Sequence, residues 1–263
     1  MVNPTPYADV NEVLDLLLAR VKSILAGQFV GMYLYGSLSS GDFDPESSDV
    51  DFVVVTAGVL PAGTVSALES MHREILAAGL KRAERLEGAY VPRNLIRRGD
   101  PNGTPCPAIN EGNFYVARLG SDWIIQRHVV REYGVIVQGP DPRALIDPVS
   151  PADLRQAILG ILREWWFPML DNPAWLREHG SHYHSYAVIS MCRVLHGLAH
   201  GTIASKPVAA RWAQAELGER WSALIEKALR GRTVDLPDFA DEAIAFIHFT
   251  KERVETESMS RHD

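Results

Sequence analysis

Three acidic side chains and a glycine-serine pair stand at spacings that could do chemistry. Gly36-Ser37-Leu38-Ser39-Ser40-Gly41-Asp42 is followed by Ser48-Asp49-Val50-Asp51. At a strand end, Gly36 presents bare backbone and Ser37 a hydroxyl, so amide N–H groups can approach phosphate oxygens closely. Asp49 and Asp51 are two apart, and the two-residue period of a strand sends both carboxylates to one face. With nothing cationic beside them they repel, unless a hard dication lies between them. Magnesium carried by a nucleoside triphosphate meets that need. Glu87, in Arg85-Leu86-Glu87-Gly88-Ala89-Tyr90, completes the metal cluster if its segment is a neighbouring strand. It can also take the proton of an attacking hydroxyl as general base. The chemistry is then an in-line displacement at the α-phosphorus, with pyrophosphate leaving. An Asp-x-Asp or a Gly-Ser alone reads as an ordinary turn; the joint pattern carries the reading.

Such side chains need strands to hold them. Apolar residues at helical spacing from Asp9 to Gly27 (Val10, Val13, Leu14, Leu17, Val21, Ile24) predict a helix. Phe29 to Tyr35 reads as a strand, Leu38 to Ser48 as a polar turn segment, and Val50 to Thr56 as a buried β-branched strand. Ala62 to Ala78 reads as a helix, Lys81 to Val91 contains a third strand, and the Pro-, Gly- and Asn-rich stretch Pro92 to Asn113 reads as an irregular surface loop. Trp123 to Tyr133 is expected to be a helix and Val135 to Gln138 a short strand. Ser150-Pro151-Ala152-Asp153 has the form of a helix start. Beyond it nearly everything is helical: Leu154 to Met169, Ser185 to His200, Pro207 to Leu217, Arg220 to Leu229 and Phe239 to Glu257. The expected fold class is α+β, a mixed sheet with flanking helices over 1–148 followed by an all-helical domain over 149–263.

The 263 residues suffice to bury a core in each half, and a composition of 46% hydrophobic and 22% charged residues is that of a soluble protein. A formal net charge of −7 argues against holding nucleic acid by bulk electrostatics and is compatible with a cationic small partner. Cys106 and Cys192 lie far apart in no metal-type spacing and read as free thiols of a reducing compartment. No apolar run is long enough to span a membrane and the N-terminus lacks the pattern of a signal peptide, so a cytoplasmic location is expected; a monomer that binds no nucleic acid and no membrane is the expected state.

Gly36-Ser37 with Asp49 and Asp51 resembles the signature of the polymerase-β-like nucleotidyltransferase superfamily. The later stretch Gly201-Thr202-Ile203-Ala204-Ser205-Lys206-Pro207-Val208-Ala209-Ala210-Arg211-Trp212-Ala213 is similar to a segment in the helical domain of aminoglycoside (3'')(9) adenylyltransferases. The helix carrying Arg193 and the stretch Val137 to Val149 fit the same family, so the likeness runs over nearly the whole chain. It implies ATP as donor, magnesium on Asp49, Asp51 and Glu87, and Glu87 as base. Nucleotide contacts are expected from Gly36, Ser37, Ser48, Arg193 and Lys206, the last two offsetting charge on the triphosphate.

The sequence departs from the family where the acceptor is held. The family carries a carboxylate about eleven residues before the arginine. Gly180-Ser181-His182-Tyr183-His184-Ser185 has none, leaving Tyr183 there and Glu178 as the nearest acid upstream. An aromatic contact in the loop before residue 120 falls on Asn113-Phe114-Tyr115, with Phe114 as the expected substrate residue. The tyrosine that the family places near the adenine is replaced around Leu229. His196 and His200 have the i, i+4 spacing of a zinc pair, but position 197 is glycine and the pair is not read as a zinc site. His179, His182 and His184 read as a polar loop, and Trp165 and Trp166 as packing. The acceptor is expected to be a small cationic molecule of the aminoglycoside type. Another metabolite, a protein side chain, or a non-catalytic nucleotide-binding role are the alternatives.

Overall fold

The computed structural model describes residues 3–100, 103–231, 234 and 236–259. The chain divides into two compact units, Met1–Val149 and Ser150–Asp263.

The first unit opens with α1 (Ala8–Leu25), whose Val10, Val13, Leu14, Leu17 and Val21 form one buried stripe. Next come β1 (Phe29–Leu34), α2 (Gly36–Ser40), β2 (Val50–Thr56), α3 (Ala62–Ala77) and β3 (Leu86–Pro92). They are followed by α4 (Arg93–Arg98), the hairpin of β4 (Pro105–Asn110) and β5 (Asn113–Arg118), α5 (Asp122–Tyr133), β6 (Val135–Gln138) and α6 (Pro142–Leu145). The strands form one mixed sheet in the order β5-β4-β3-β2-β1-β6. Only the β2–β3 pair is parallel among these neighbours, since α3 makes the crossover that returns the chain to the same sheet edge.

Two corrections arise here. The stretch 92–113, expected as an irregular loop, holds α4 and most of the β4–β5 hairpin, although residues 101 and 102 lie outside the described residues. Pro105 and Pro107 hide β4 in the sequence, because proline is tolerated only near sheet edges. The reversal is made by Glu111 and Gly112, both at positive φ. The turn segment after β1 begins as the short helix α2, ended by Gly41 in the left-handed region.

Each face of the sheet buries its own core. Met32, Leu34, Phe52, Val54 and Tyr90 pack with α1 and α3. On the other face, Tyr33, Tyr35, Val53, Val55 and Ala89 pack with Leu95, Ile96, Val130 and Leu145 from α4, α5 and α6. Arg127 fastens the second layer, donating from Nε to the Ile96 carbonyl at 2.8 Å and from Nη2 to the Arg97 carbonyl at 2.7 Å.

The second unit is helical: α7 (Pro151–Ile161), a π-helical turn (Leu162–Trp166), α8 (Phe167–Asp171), α9 (Ala174–Glu178), α10 (Ser181–His200), α11 (Lys206–Glu216), α12 (Glu219–Arg230) and α13 (Ala240–Met259). Ser150 starts it with a reciprocal capping box to Asp153. The helix expected to run unbroken to Met169 instead passes through the π turn, since Pro168 has no N–H to continue the ladder. Central α10 packs against α7, α11, α12 and α13, and its Ala187, Val188, Met191 and Cys192 are fully buried. Among the described residues, no helix is long and apolar enough to cross a membrane.

Candidate active site

The chain turns sharply between β1 and α2, and Asp51 governs that turn. The Tyr35 amide donates to the Asp51 carbonyl at 3.1 Å. Gly36 has φ +60°, and a Cβ there would overlap the Asp51 carboxylate. Glycine is therefore required twice over, by backbone conformation and by space. Ser37 is half-buried in the first turn of α2, where its carbonyl accepts from the Asp42 amide at 3.1 Å. Ser48 is buried, and its hydroxyl oxygen accepts from the Asp44 amide at 3.0 Å. That bond shapes the loop delivering Asp49, so the Ser48 hydroxyl is engaged in the fold.

Asp51 and Glu87 are direct partners across the parallel strands β2 and β3, which run about 4.8 Å apart. Each is the second residue of its strand and the half-buried one in an otherwise buried row. The flanking Val50, Phe52 and Leu86 face the α1–α3 core, so both carboxylates share the face of Tyr33, Tyr35 and Ala89. Asp49 lies one residue before β2. Its carboxylate has a cation beside it, contrary to the expectation from sequence: Arg85 Nη1 is 3.5 Å from Asp49 Oδ1, with both side chains nearly half exposed.

Among the described residues, no three His, Cys, Asp or Glu side chains converge tightly enough to hold a metal ion. The donor set still fits one in its chemistry. Asp51 and Glu87 are hard oxygen donors on adjacent strands, at a spacing that suits a divalent cation whose other ligands are nucleotide phosphates and water. Asp49, two residues before Asp51, is a further oxygen donor whose carboxylate is paired with Arg85.

The carboxylates also act on two phenols. Burial pushes Tyr35 well above the usual phenol range, and the negative charges of Asp51, Glu87 and Asp122 push further. Tyr115 is raised as well, first by burial and then by Glu87 and Asp122. Tyr35 and Asp122 thus belong to this face, and the sequence reading did not select them. Parity offers a signal for Tyr35, which is an even number of residues from Tyr33 along one strand. Asp122 offers little, since an acid in the first turn of a helix is ordinary.

Phe114, the expected substrate residue, packs against the core, and its neighbour Tyr115 lies on the other face. Side chains alternate along β5, and the Phe114 ring lies 5.7 Å from the His72 ring, against the core on the α1–α3 face. Phe114 is therefore turned away from the carboxylates. Tyr115, 46% exposed, is the aromatic residue on their side.

In the helical unit, the Arg193 guanidinium donates from Nε to the Ala204 carbonyl at 3.3 Å. That bond ties α10 to the turn which Gly201 opens in the left-handed region and Lys206 closes as the exposed first residue of α11. The two cations stand on either side of one turn. Glu178 is exposed at the end of α9. Tyr183 lies in an aromatic group with Trp175 at 5.0 Å, His179 at 5.2 Å and Tyr186 at 6.1 Å.

Comparison with known proteins follows the same division. Residues 14–98 match the nucleotidyltransferase domain model, and residues 144–253 match the model of the aminoglycoside adenylyltransferase C-terminal domain. The aminoglycoside (3'')(9) adenylyltransferase of Shigella flexneri is 27% identical over 260 residues, covering 93% of this chain and 94% of the relative. The spectinomycin 9-adenylyltransferase of Campylobacter jejuni is 22% identical over 272 residues, with 97% of each covered. The fold is that of the spectinomycin adenyltransferase AAD(9) from Enterococcus faecialis, solved with ATP and spectinomycin. The TM-score is 0.75 at 17% identity, over 93% of this chain and 98% of that one. With both halves matched in order and relatives aligned over nearly their full length, this chain joins a nucleotidyltransferase domain to the C-terminal domain of aminoglycoside adenylyltransferases, and its enzyme class is adenylyltransferase.

Proposed function

We propose that the protein transfers AMP from magnesium-bound ATP to a hydroxyl of a small cationic acceptor of the aminoglycoside type, releasing pyrophosphate. The observation that carries this reading is the pairing of Asp51 with Glu87 on one sheet face, directly beside Gly36. Glu87 accepts the proton of the acceptor hydroxyl as its oxygen bonds to the α-phosphorus. The bond from that phosphorus to the β-bridging oxygen breaks, and pyrophosphate carries away the electron pair. Asp51 and Glu87 would hold magnesium, with Asp49 joining when its side chain leaves Arg85; the ion, when bound, offsets charge on the phosphates. Gly36 and Ser37 bring backbone close to the triphosphate, and Arg193 and Lys206 supply positive charge for it and for the leaving group. Tyr35 stays a neutral phenol behind the two carboxylates, able to donate but not to add a third negative charge.

Asp122, whose charge acts on Tyr115 together with that of Glu87, adds an acid to this region and favours a cationic acceptor, consistent with relatives whose names specify aminoglycosides and spectinomycin. The aromatic surroundings of Tyr183, near where the family carries a carboxylate, favour a second reading with the same transfer chemistry and a less charged acceptor. The test is α-labelled ATP with a panel of aminoglycosides, spectinomycin and neutral polyols. Label should move to a cationic member with equivalent pyrophosphate release. Transfer only to neutral acceptors would replace the first reading by the second, and absence of transfer to any would reject both.

A further inference from the structure

We propose that His196 and His200 form a two-imidazole site on α10 for a divalent transition-metal ion, separate from the nucleotidyl-transfer chemistry. The two residues are one turn apart on the same helix face. Their ring centroids are 4.5 Å apart, with the planes tilted by 46°. Trp212 of α11 walls the pair, edge-on to His196 at 5.3 Å and to His200 at 5.4 Å. The indole restricts both rings and holds them side by side, which lowers the entropy cost of chelation.

His196 Nδ1 is buried and has no hydrogen-bond partner, a condition that carries a cost. Other histidines of this unit are satisfied: His184 Nε2 meets the Leu176 carbonyl at 2.9 Å, and His179 Nδ1 meets the Trp175 carbonyl at 2.7 Å. His72 and His128 also leave a ring nitrogen unmatched, but their ring neighbours are Phe52, Tyr90 and Phe114 for the first and Tyr133 for the second. At His196 the neighbours are the Trp212 ring and, nearer, a second imidazole. His200 is exposed, which leaves an approach from solvent.

Gly197 in place of an acid excludes a hydrolytic zinc centre from this spacing, but not a binding site. Neutral imidazoles suit Cu²⁺, Ni²⁺ and Zn²⁺, and the usual order of affinities places Cu²⁺ first. Burial and the neighbouring His200 hold His196 below its ordinary range, so it is neutral and able to ligate at physiological pH. No third His, Cys, Asp or Glu joins the pair among the described residues, so water fills the other positions. A bound ion would stiffen the last turn of α10, just before Gly201 and the turn that Arg193 holds through Ala204.

The experiment titrates the full-length protein with Cu²⁺ and with Ni²⁺ in a non-chelating buffer, read by calorimetry and tryptophan fluorescence. His200→Ala and His182→Ala are titrated alongside, with circular dichroism establishing that each is folded. Wild type and His182→Ala should bind about one ion with quenching, and His200→Ala should bind at least tenfold more weakly. Equal affinity in wild type and His200→Ala, or no binding to wild type, would overturn the proposal. Because His200 is exposed, its replacement does not put the fold at risk.

Discussion

Asp51 and Glu87 face each other Cα to Cα across the one parallel strand pair of the described sheet. The proposed base thus stands on the neighbouring strand, in register with the proposed metal ligand. The α3 crossover creates that register, because an antiparallel return would bring a different part of the third strand beside Asp51.

Replacing Glu87 by Gln keeps the shape and removes the base. Turnover should fall by about 10²–10⁴-fold, while binding of magnesium-ATP changes little. Single-turnover transfer and equilibrium nucleotide binding, measured on the same preparation, check this. Activity within tenfold of wild type would remove Glu87 from the role of base.

Arg85 competes for the Asp49 carboxylate at 3.5 Å. Exposed pairs of this kind are worth less than about 1 kcal/mol. Arg85→Ala should therefore lower the magnesium concentration for half-maximal rate by no more than about fivefold, whereas Asp49→Asn should raise it. A magnesium titration of initial rates distinguishes the two signs.

At Gly36 a methyl group meets the Asp51 carboxylate, and the backbone lies at φ +60°. Gly36→Ala should cost about 1–2 kcal/mol from the left-handed conformation alone, readable as a lower urea midpoint. Displacing Asp51 should in addition reduce turnover by about 10²-fold. A mutant with unchanged rate would show that the close approach is not needed for catalysis.

The opposite facing of Phe114 and Tyr115 separates stability from acceptor use. Phe114→Ala removes a ring packed beside His72 and should destabilise by about 2 kcal/mol, less than a fully buried phenylalanine. Tyr115→Ala should leave the melting temperature nearly unchanged and raise KM for the acceptor more than KM for ATP. Thermal melts and steady-state kinetics of the two variants supply the comparison.

His72 gives the fold an acid limit. Its imidazole is buried, with Nε2 2.7 Å from the Tyr90 hydroxyl, and burial lowers its pKa from 6.5 to about 4. The unfolded chain therefore binds the proton more readily, and stability rises with pH between those values. Acidification from pH 7 toward pH 4 should cost roughly 3 kcal/mol through this group. Urea midpoints across that range should slope less steeply in His72→Phe than in wild type.

The sequence by itself determined the strands that carry the acids, the start of the helical half at Ser150, and the identity of Asp49, Asp51 and Glu87 as the residues to watch. Those features are local: a β-branched run, a capping box, a period of two. Parity even implies that Asp51 and Glu87 each share a face with the alternate residues of their own strands. Only the tertiary structure decided that the two strands are parallel neighbours in register, because pairing joins segments separated by an intervening helix. The same holds for Asp49, whose partner Arg85 comes from just before another strand, and for Tyr35 and Asp122, gathered by the packing of α5 on the sheet. The facing of Phe114 is not legible in the sequence, because β4 with its two prolines reads as a loop, and without the β4–β5 hairpin there is no alternation to say which of two adjacent aromatics faces the carboxylates.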